Sequence, residues 1–359
     1  MGKPRKGKRA MKIEKKKMAD LSMVYVTAEL SLQGKRYLAA ASEAKGESAY
    51  IFNPETGEYA PLWKGDTGVM NIVQLPGQEK LLAIVRFYPV FQSKEAAVCL
   101  LEPTAKGYMS PWNLREVFRL PFCHRIGVVK NDNGLFILGC QLCRDKDFQE
   151  DWSQPGALFM IPVPDKPEGE WKMTKIFDGL TKNHGLFIED ENQVYICAEN
   201  GVMHFDLSGY RPGDTAVPVL LTATPTSDIS IAELNGQKYA GVIEPFHGNT
   251  AAVYRITDTG YEQIRRYDID FGHVIWIGEL FGKPFLIVGS RGGEKKLELI
   301  NLETDARTLL EAGVGPTQIS VYHEENMVKI LAANHGSGEV TLYSLQEEIL
   351  PAGFRDGRQ

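Results

Sequence analysis

Three histidines and an aspartate stand at the head of short apolar segments: His124-Arg-Ile-Gly-Val-Val, His184-Gly-Leu-Phe-Ile, Asp228-Ile-Ser-Ile-Ala and His273-Val-Ile-Trp-Ile. Neutral imidazole nitrogens with one or two carboxylates form a ligand set for Zn, Mn, Fe or Co. Such a site requires groups spread over about 150 residues of chain to meet at one point. The sequence supplies a device for this. The last three of these phrases, with Gln318-Ile-Ser-Val-Tyr, start about 45 residues apart, and each continues through a turn into a second apolar strand. That period marks a β-propeller, in which each repeat builds a four-stranded blade and the innermost strands ring a central channel.

In a blade the innermost strand A runs antiparallel to its neighbour B, so the head of A and the loop after B lie at the same end. One face therefore collects the strand heads Asn71, His124, His184, Asp228, His273 and Gln318. From the ends of the B strands and the loops after them it gathers Arg86, Tyr88, Gln141, Glu199, Glu244, His247, Arg291, Asn334 and His335. Five of the seven histidines fall there; His204 and His323 do not. The opposite face offers ordinary turn residues such as Asn235, Gly236 and Gly282.

His124, His184, His273 and Asp228 are thus candidate ligands for a divalent metal. The competing reading has each imidazole line a polar channel and bond to water. Recurrence at equivalent positions of the repeat tips the balance to a metal. His247, in Glu244-Pro-Phe-His-Gly-Asn249, and His335, in Asn334-His-Gly336, each precede a glycine, which lets a loop backbone approach a ligand closely. They are candidates for acid–base work or substrate binding, or ordinary loop residues. Arg86 and Arg291 suit sugar hydroxyls, a carboxylate or an enolate, and equally a scaffold salt bridge.

The elements that position these residues read as strands throughout: short, β-branched or aromatic, and separated by Gly, Asn, Asp and Lys. Asn235-Gly236 is a tight hairpin signal between strands A and B of the fifth blade. Outer strands such as Glu116-Val-Phe-Arg-Leu, Val217-Pro-Val-Leu-Leu and Gln263-Ile-Arg-Arg-Tyr look irregular, as solvent-facing strands do. Seven blades of roughly 45–50 residues use nearly all of the 359-residue chain. The expectation is an all-β, seven-bladed propeller as one domain over 20–350, between tails at 1–19 and 351–359. Which terminus completes the last blade is left open.

Composition bounds the rest. The first 17 residues carry nine Lys or Arg and one Glu, a charge of +8, whereas the whole chain is −6, which leaves −14 for the remainder. The acidic body argues against a nucleic-acid surface. The basic head reads as a disordered tail, or as a start placed too early, since Met11, Met18 and Met23 follow; binding to nucleic acid or anionic lipid is the other reading. No apolar segment follows it, so no secretory signal is expected, and no apolar run is long enough for a membrane span. The five cysteines show no disulfide framework, and Cys140-x-x-Cys143 lacks the second pair a zinc site needs. A reducing cytoplasm is the expected location.

Four pieces, Met70-Asn-Ile, Asn183-His-Gly-Leu, Glu244-Pro-Phe-His-Gly-Asn and Gly272-His-Val-Ile-Trp, resemble the propeller of aldos-2-ulose dehydratase and its bacterial relatives, distant kin of FG-GAP-type propellers. The similarity covers roughly residues 20 to 345. The chain departs from calcium-binding FG-GAP repeats, because its A–B turns lack the Asp-rich loop, and it lacks the large dehydratase's C-terminal domains. The resemblance implies a lyase acting on keto-sugars, with a 3-keto-glycoside supplied by a companion sugar oxidoreductase and a divalent ion (Mn, Zn, Co or Mg). Carried over by position, His184, His273 and Asp228 or His124 hold the metal. His247, assisted by Glu244, is the base and His335 or His124 the acid. Arg86, Tyr88, Arg291, Gln318 and Asn71 bind substrate. Two rivals stand beside this reading. One is a non-catalytic propeller that binds a glycan or protein; the other is a calcium-dependent lactonase, for which three histidines are the wrong ligands.

Overall fold

The computed structural model describes residues 8–47, 49–89, 93–257 and 260–350. Its regular elements are all strands, gathered into seven four-stranded antiparallel sheets. Blades 1 to 6 occupy residues 24–61, 71–119, 123–180, 185–222, 228–268 and 272–311, each in simple A-B-C-D order. The innermost strands of neighbouring blades touch in a closed ring around one axis, the seventh meeting the first. Among the described residues, no helix is long and apolar enough to cross a membrane.

The strand patterns follow from position in the blade. Second strands are covered on both faces by the adjacent blades, so they read as continuous apolar runs. Leu81–Val85 is buried at every residue, as are the last five residues of Lys35–Ser42. Outer strands such as Asn113–Arg119 and Gly260–Asp268 bury only occasional residues. The A–B turns of blades 5 and 6 place two consecutive residues at positive φ, Asn235 (53°) with Gly236 (73°) and Phe281 (55°) with Gly282 (73°). This is the type I′ geometry that matches strand twist.

The seventh blade corrects the expectation of a disordered head. Gln318–Glu324, Met327–Asn334 and Glu339–Leu350 supply its three inner strands, and Lys8–Asp20 is the fourth, paired from Lys8↔Leu350 to Asp20↔Glu339. Met18 and Ala19 are buried, and Met11 and Ile13 pack on the core. The basic residues of this strand find acidic partners on the body: Lys15 pairs with Glu311, and Lys15 and Lys17 each stand 3.6 Å from Glu339. A propeller must close its ring, and the otherwise bare edge of Glu339–Leu350 pairs readily with a long strand. The tail expected over 351–359 lies outside the described residues.

Candidate functional site

Strand heads and B–C loops do converge on one face. His124 and His273 sit second in the A strands Cys123–Asn131 and Gly272–Leu280, and His184 directly precedes Gly185–Glu189. His247 comes from the loop after the B strand Gln237–Glu244, with φ at 47°. Its loop doubles back so tightly that a Cβ at Gly248 would collide with the Glu244 carbonyl and the Pro245 ring. His335 follows the B strand Met327–Asn334 of blade 7.

Three of these imidazoles form a compact group. His184, His247 and His273 each present a ring nitrogen, all within 4.8 Å of one another. The backbone sets two of the tautomers. His184 Nδ1–H donates to the Ser227 carbonyl (3.1 Å) and His273 Nδ1–H to the Thr317 carbonyl (2.8 Å). Because a carbonyl only accepts, both rings turn an unprotonated Nε2 into the channel, the arrangement that orients metal-ligating histidines. His247 Nε2 lies 3.3 Å from His184 Nε2. Two nitrogens bound to a tetrahedral ion are about 3.3 Å apart when each is about 2.05 Å from it, so the pair already has ligand spacing. Burial holds all three neutral: it pushes His184 and His273 well below the ordinary imidazole value and His247 down to about 3, with Arg125 and Arg291 adding to the effect. Neutral imidazole is the form that binds a metal.

Above this group opens a cavity of about 300 Å³ lined by Tyr25, Glu43, Phe87, Tyr88, Arg291 and His335, among others. His335 Nε2 donates to Glu43 Oε1 at 2.8 Å, and Arg291 Nη2 lies 3.2 Å from His335 Nδ1. An imidazole aligned by a carboxylate beside a guanidinium is an acid–base group next to an anion holder. Phe246 stacks on His247 with ring centroids 4.1 Å apart, and Phe271 lies 4.9 Å from the same ring.

No protein-family model and no curated protein sequence matches the chain. Solved structures do resemble it. A "putative 6-phosphogluconolactonase" from Bacteroides uniformis aligns at 16% identity over 86% of this chain and 93% of its own, with a TM-score of 0.53. A second, from Bacteroides fragilis, gives 14%, 83%, 90% and 0.54. Saccharomyces cerevisiae Sqt1 gives 12%, 92%, 84% and 0.56. At these identities the likeness is one of fold. The resemblance to the dehydratase propeller therefore rests on the sequence motifs alone.

Several expected site residues lie elsewhere. Asp228 is outside the histidine cluster, deeper in the channel, with Arg125 3.9 Å away and its Oδ1 engaged by the Ile229 N–H. Burial raises its carboxyl to about 6, a poor property for a metal ligand. His124 stacks beside His184, but its Nε2 lies 3.3 Å from Tyr25 Oη, and its other hydrogen-bond contact is with the His184 backbone. Glu244 does not face His247: it accepts from Tyr254 Oη (2.5 Å) and lies 3.5 Å from Arg266, both on outer strands of its blade. Arg86 is a scaffold residue, paired with Glu116 and 3.8 Å from Asp66. Asn71 and Gln318 use their amide oxygens to accept from the Ile126 and Thr27 backbone N–H groups, which ties neighbouring blades together. Tyr88 and Arg291 do line the cavity. Cys140 and Cys143 are buried free thiols raised to about 12, not zinc ligands.

Two residues of the site escaped the sequence reading. Tyr25 sits at the head of the innermost strand of blade 1, and its Oη lies 3.0 Å from His273 Nε2. Glu43 occupies the post-B position of the same blade. Extending the repeat register back to blade 1 locates both.

Proposed function

We propose that this propeller is a metal-dependent lyase acting on a keto-sugar, with His184, His247 and His273 as the metal ligands and His335 as the general base. The observation that carries this reading is the set of three neutral imidazoles within 4.8 Å, two with Nε2 left unprotonated by their bonds to backbone carbonyls. A divalent ion held there would act as a Lewis acid toward a carbonyl placed in the cavity above. His335, its Nε2–H held by Glu43, would take the proton from the carbon beside that carbonyl on Nδ1, once Arg291 turns from that nitrogen to the ligand. Arg291, next to His335, faces the negative charge that develops on the carbonyl oxygen. For a 3-keto-glycoside the C2–H bond breaks, the C1–C2 double bond forms, and the C1–O bond to the aglycone breaks. The proton returns from His335 to the departing oxygen. Tyr88 and Tyr25 line the same space and suit sugar hydroxyls.

The test is elemental analysis of the purified protein, then turnover of a 3-keto-glucoside before and after EDTA. About one transition-metal ion per chain, lost in the His184→Ala and His273→Ala variants together with turnover, is the expected result. Metal content unchanged in both variants, or turnover indifferent to chelation, would overturn the assignment. A metal-free protein would fit the glycan- or protein-binding alternative. Two of the fold neighbours carry a lactonase name, so a sugar lactone belongs in the same assay as a control.

A further inference from the structure

Beyond the histidine layer lies a second cavity of about 270 Å³ that shares His273 with the proposed metal site and whose other polar side chains have no role in the proposed reaction. Arg125 projects into it from the innermost strand of blade 3, 7% exposed. For a buried guanidinium it is poorly satisfied: its contacts are 3.4 Å to the Met70 carbonyl and 3.9 Å to Asp228 Oδ2. Five N–H donors in a fixed fork normally make shorter bonds than these. Around it the lining is rich in donors. Asn71 and Gln318 have both committed their amide oxygens to backbone N–H groups, so their NH2 groups are what remains for the cavity. Ser230 Oγ accepts from the Ile277 N–H, which leaves its O–H to donate. Asp228, with one oxygen on its own strand, is the carboxylate of the lining and an acceptor. Trp276 supplies an apolar wall.

We propose that this cavity is a second binding site, taking a small hydroxycarboxylate. The ligand carboxylate sits against the Arg125 fork and the Asn71 and Gln318 amides, and its hydroxyl donates to Asp228. A simple anion would meet Asp228 with like charge, and a simple polyol would leave Arg125 unanswered; a hydroxy acid satisfies both. The residues assigned to the ligand, Arg125, Asn71, Gln318 and Asp228, are not among the proposed metal ligands, although His273 borders both spaces.

The experiment is calorimetric titration of the EDTA-treated full chain, so that chelation at the histidines cannot imitate binding, with glycerate, acetate and glycerol as probes. Glycerate is expected to bind at least about 10-fold more tightly than either of the others. Arg125→Met should abolish that binding, and Asp228→Asn should erase the preference for glycerate over acetate. Should Arg125→Met fail to fold, Arg125→Lys keeps the charge but loses the fork, and is expected to weaken glycerate about 10-fold with a normal melting curve. No glycerate binding by the wild-type chain, or binding unchanged in the folded Arg125 variants, would overturn the proposal and leave Arg125–Asp228 as a structural pair.

Discussion

Tyr25→Phe separates the proposed metal ligand from an ordinary buried histidine, because it pushes two measurable quantities in opposite directions. His273 donates from Nδ1 to Thr317, so its Nε2 accepts the Tyr25 O–H at 3.0 Å. An ion taking that nitrogen must first displace the hydroxyl. Removing the hydroxyl leaves a buried acceptor without a partner in the metal-free protein, a loss of about 1–3 kcal/mol. In the metal-bound protein the nitrogen is already engaged, so most of that loss is absent. Metal affinity should therefore rise roughly 5- to 150-fold, taking about 1.4 kcal/mol per factor of ten. The metal-free variant should meanwhile melt about 1–4 °C lower, from the unfolding entropy of a chain this size. Competition of Zn²⁺ with a fluorescent chelator gives the affinity, and calorimetry with and without EDTA gives the melting point. Weaker zinc binding in Tyr25→Phe would make the tyrosine a ligand rather than a competitor. Unchanged binding would mean that His273 Nε2 is not the metal nitrogen, and either result refutes the tautomer argument.

Glu43→Gln removes the carboxylate that aligns His335 and should lower kcat on the keto-sugar about 10²-fold or more with metal content unaltered; equal kcat would remove His335 from the base role. Stability of the chelated protein should fall with pH below about 6.5. There the unfolded chain protonates imidazoles that His124, His184, His247 and His273 keep neutral when folded, at about 1.4 kcal/mol per pH unit for each. Asp228 acts the other way, since its raised carboxyl gains stability as pH drops from about 6 toward 4, but one group does not offset four. A flat denaturation midpoint between pH 7 and 5 would contradict the neutral cluster. Deleting residues 1–20 strips the outer strand from blade 7 and the burial of Met18, worth about 1.5–3 kcal/mol. It also bares a sheet edge, so aggregation or a lost cooperative transition in circular dichroism is expected; a soluble protein with an unchanged melting curve would show the strand to be dispensable.

The sequence disclosed the repeat because second strands, covered on both sides, must be apolar along their length, and runs such as Leu81–Val85 are visible without a structure. It also disclosed which end of the blades would gather the histidines, since antiparallel pairing alone decides that. It did not disclose how far down the channel each side chain sits. Asp228 and His273 occupy equivalent heads, yet the aspartate is too short to leave the wall and meets Arg125, one strand position beyond His124, across the channel. Nor did it show that Glu244 turns outward to Tyr254, because a residue at the end of a B strand can face either side of its blade. The basic head was misjudged for a related reason. Lys15 and Lys17 look unsupported until Glu311 of blade 6 and Glu339 of blade 7 are placed beside them.

One regularity explains why some strand-head histidines join the cluster and another does not. Ser227, which accepts from His184, immediately precedes the innermost strand of blade 5; Thr317, which accepts from His273, immediately precedes that of blade 7. The two spacings, 43 and 44 residues, are one repeat. A histidine at a strand head thus finds the backbone carbonyl of the next blade waiting for its Nδ1–H, and the fold itself fixes the tautomer. His124 meets the equivalent position, the backbone of His184 just before the innermost strand of blade 4, but no bond of ordinary length and angle forms at its Nδ1, and its Nε2 lies against Tyr25 Oη. Between blades 3 and 4 the step from head to head is 60 residues rather than 44 or 45, because a long loop follows the B strand Gly134–Gln141. Among the strand-head histidines, the two whose Nδ1–H the neighbouring blade holds at hydrogen-bond distance are the two in the cluster, and His247 completes the set from its loop.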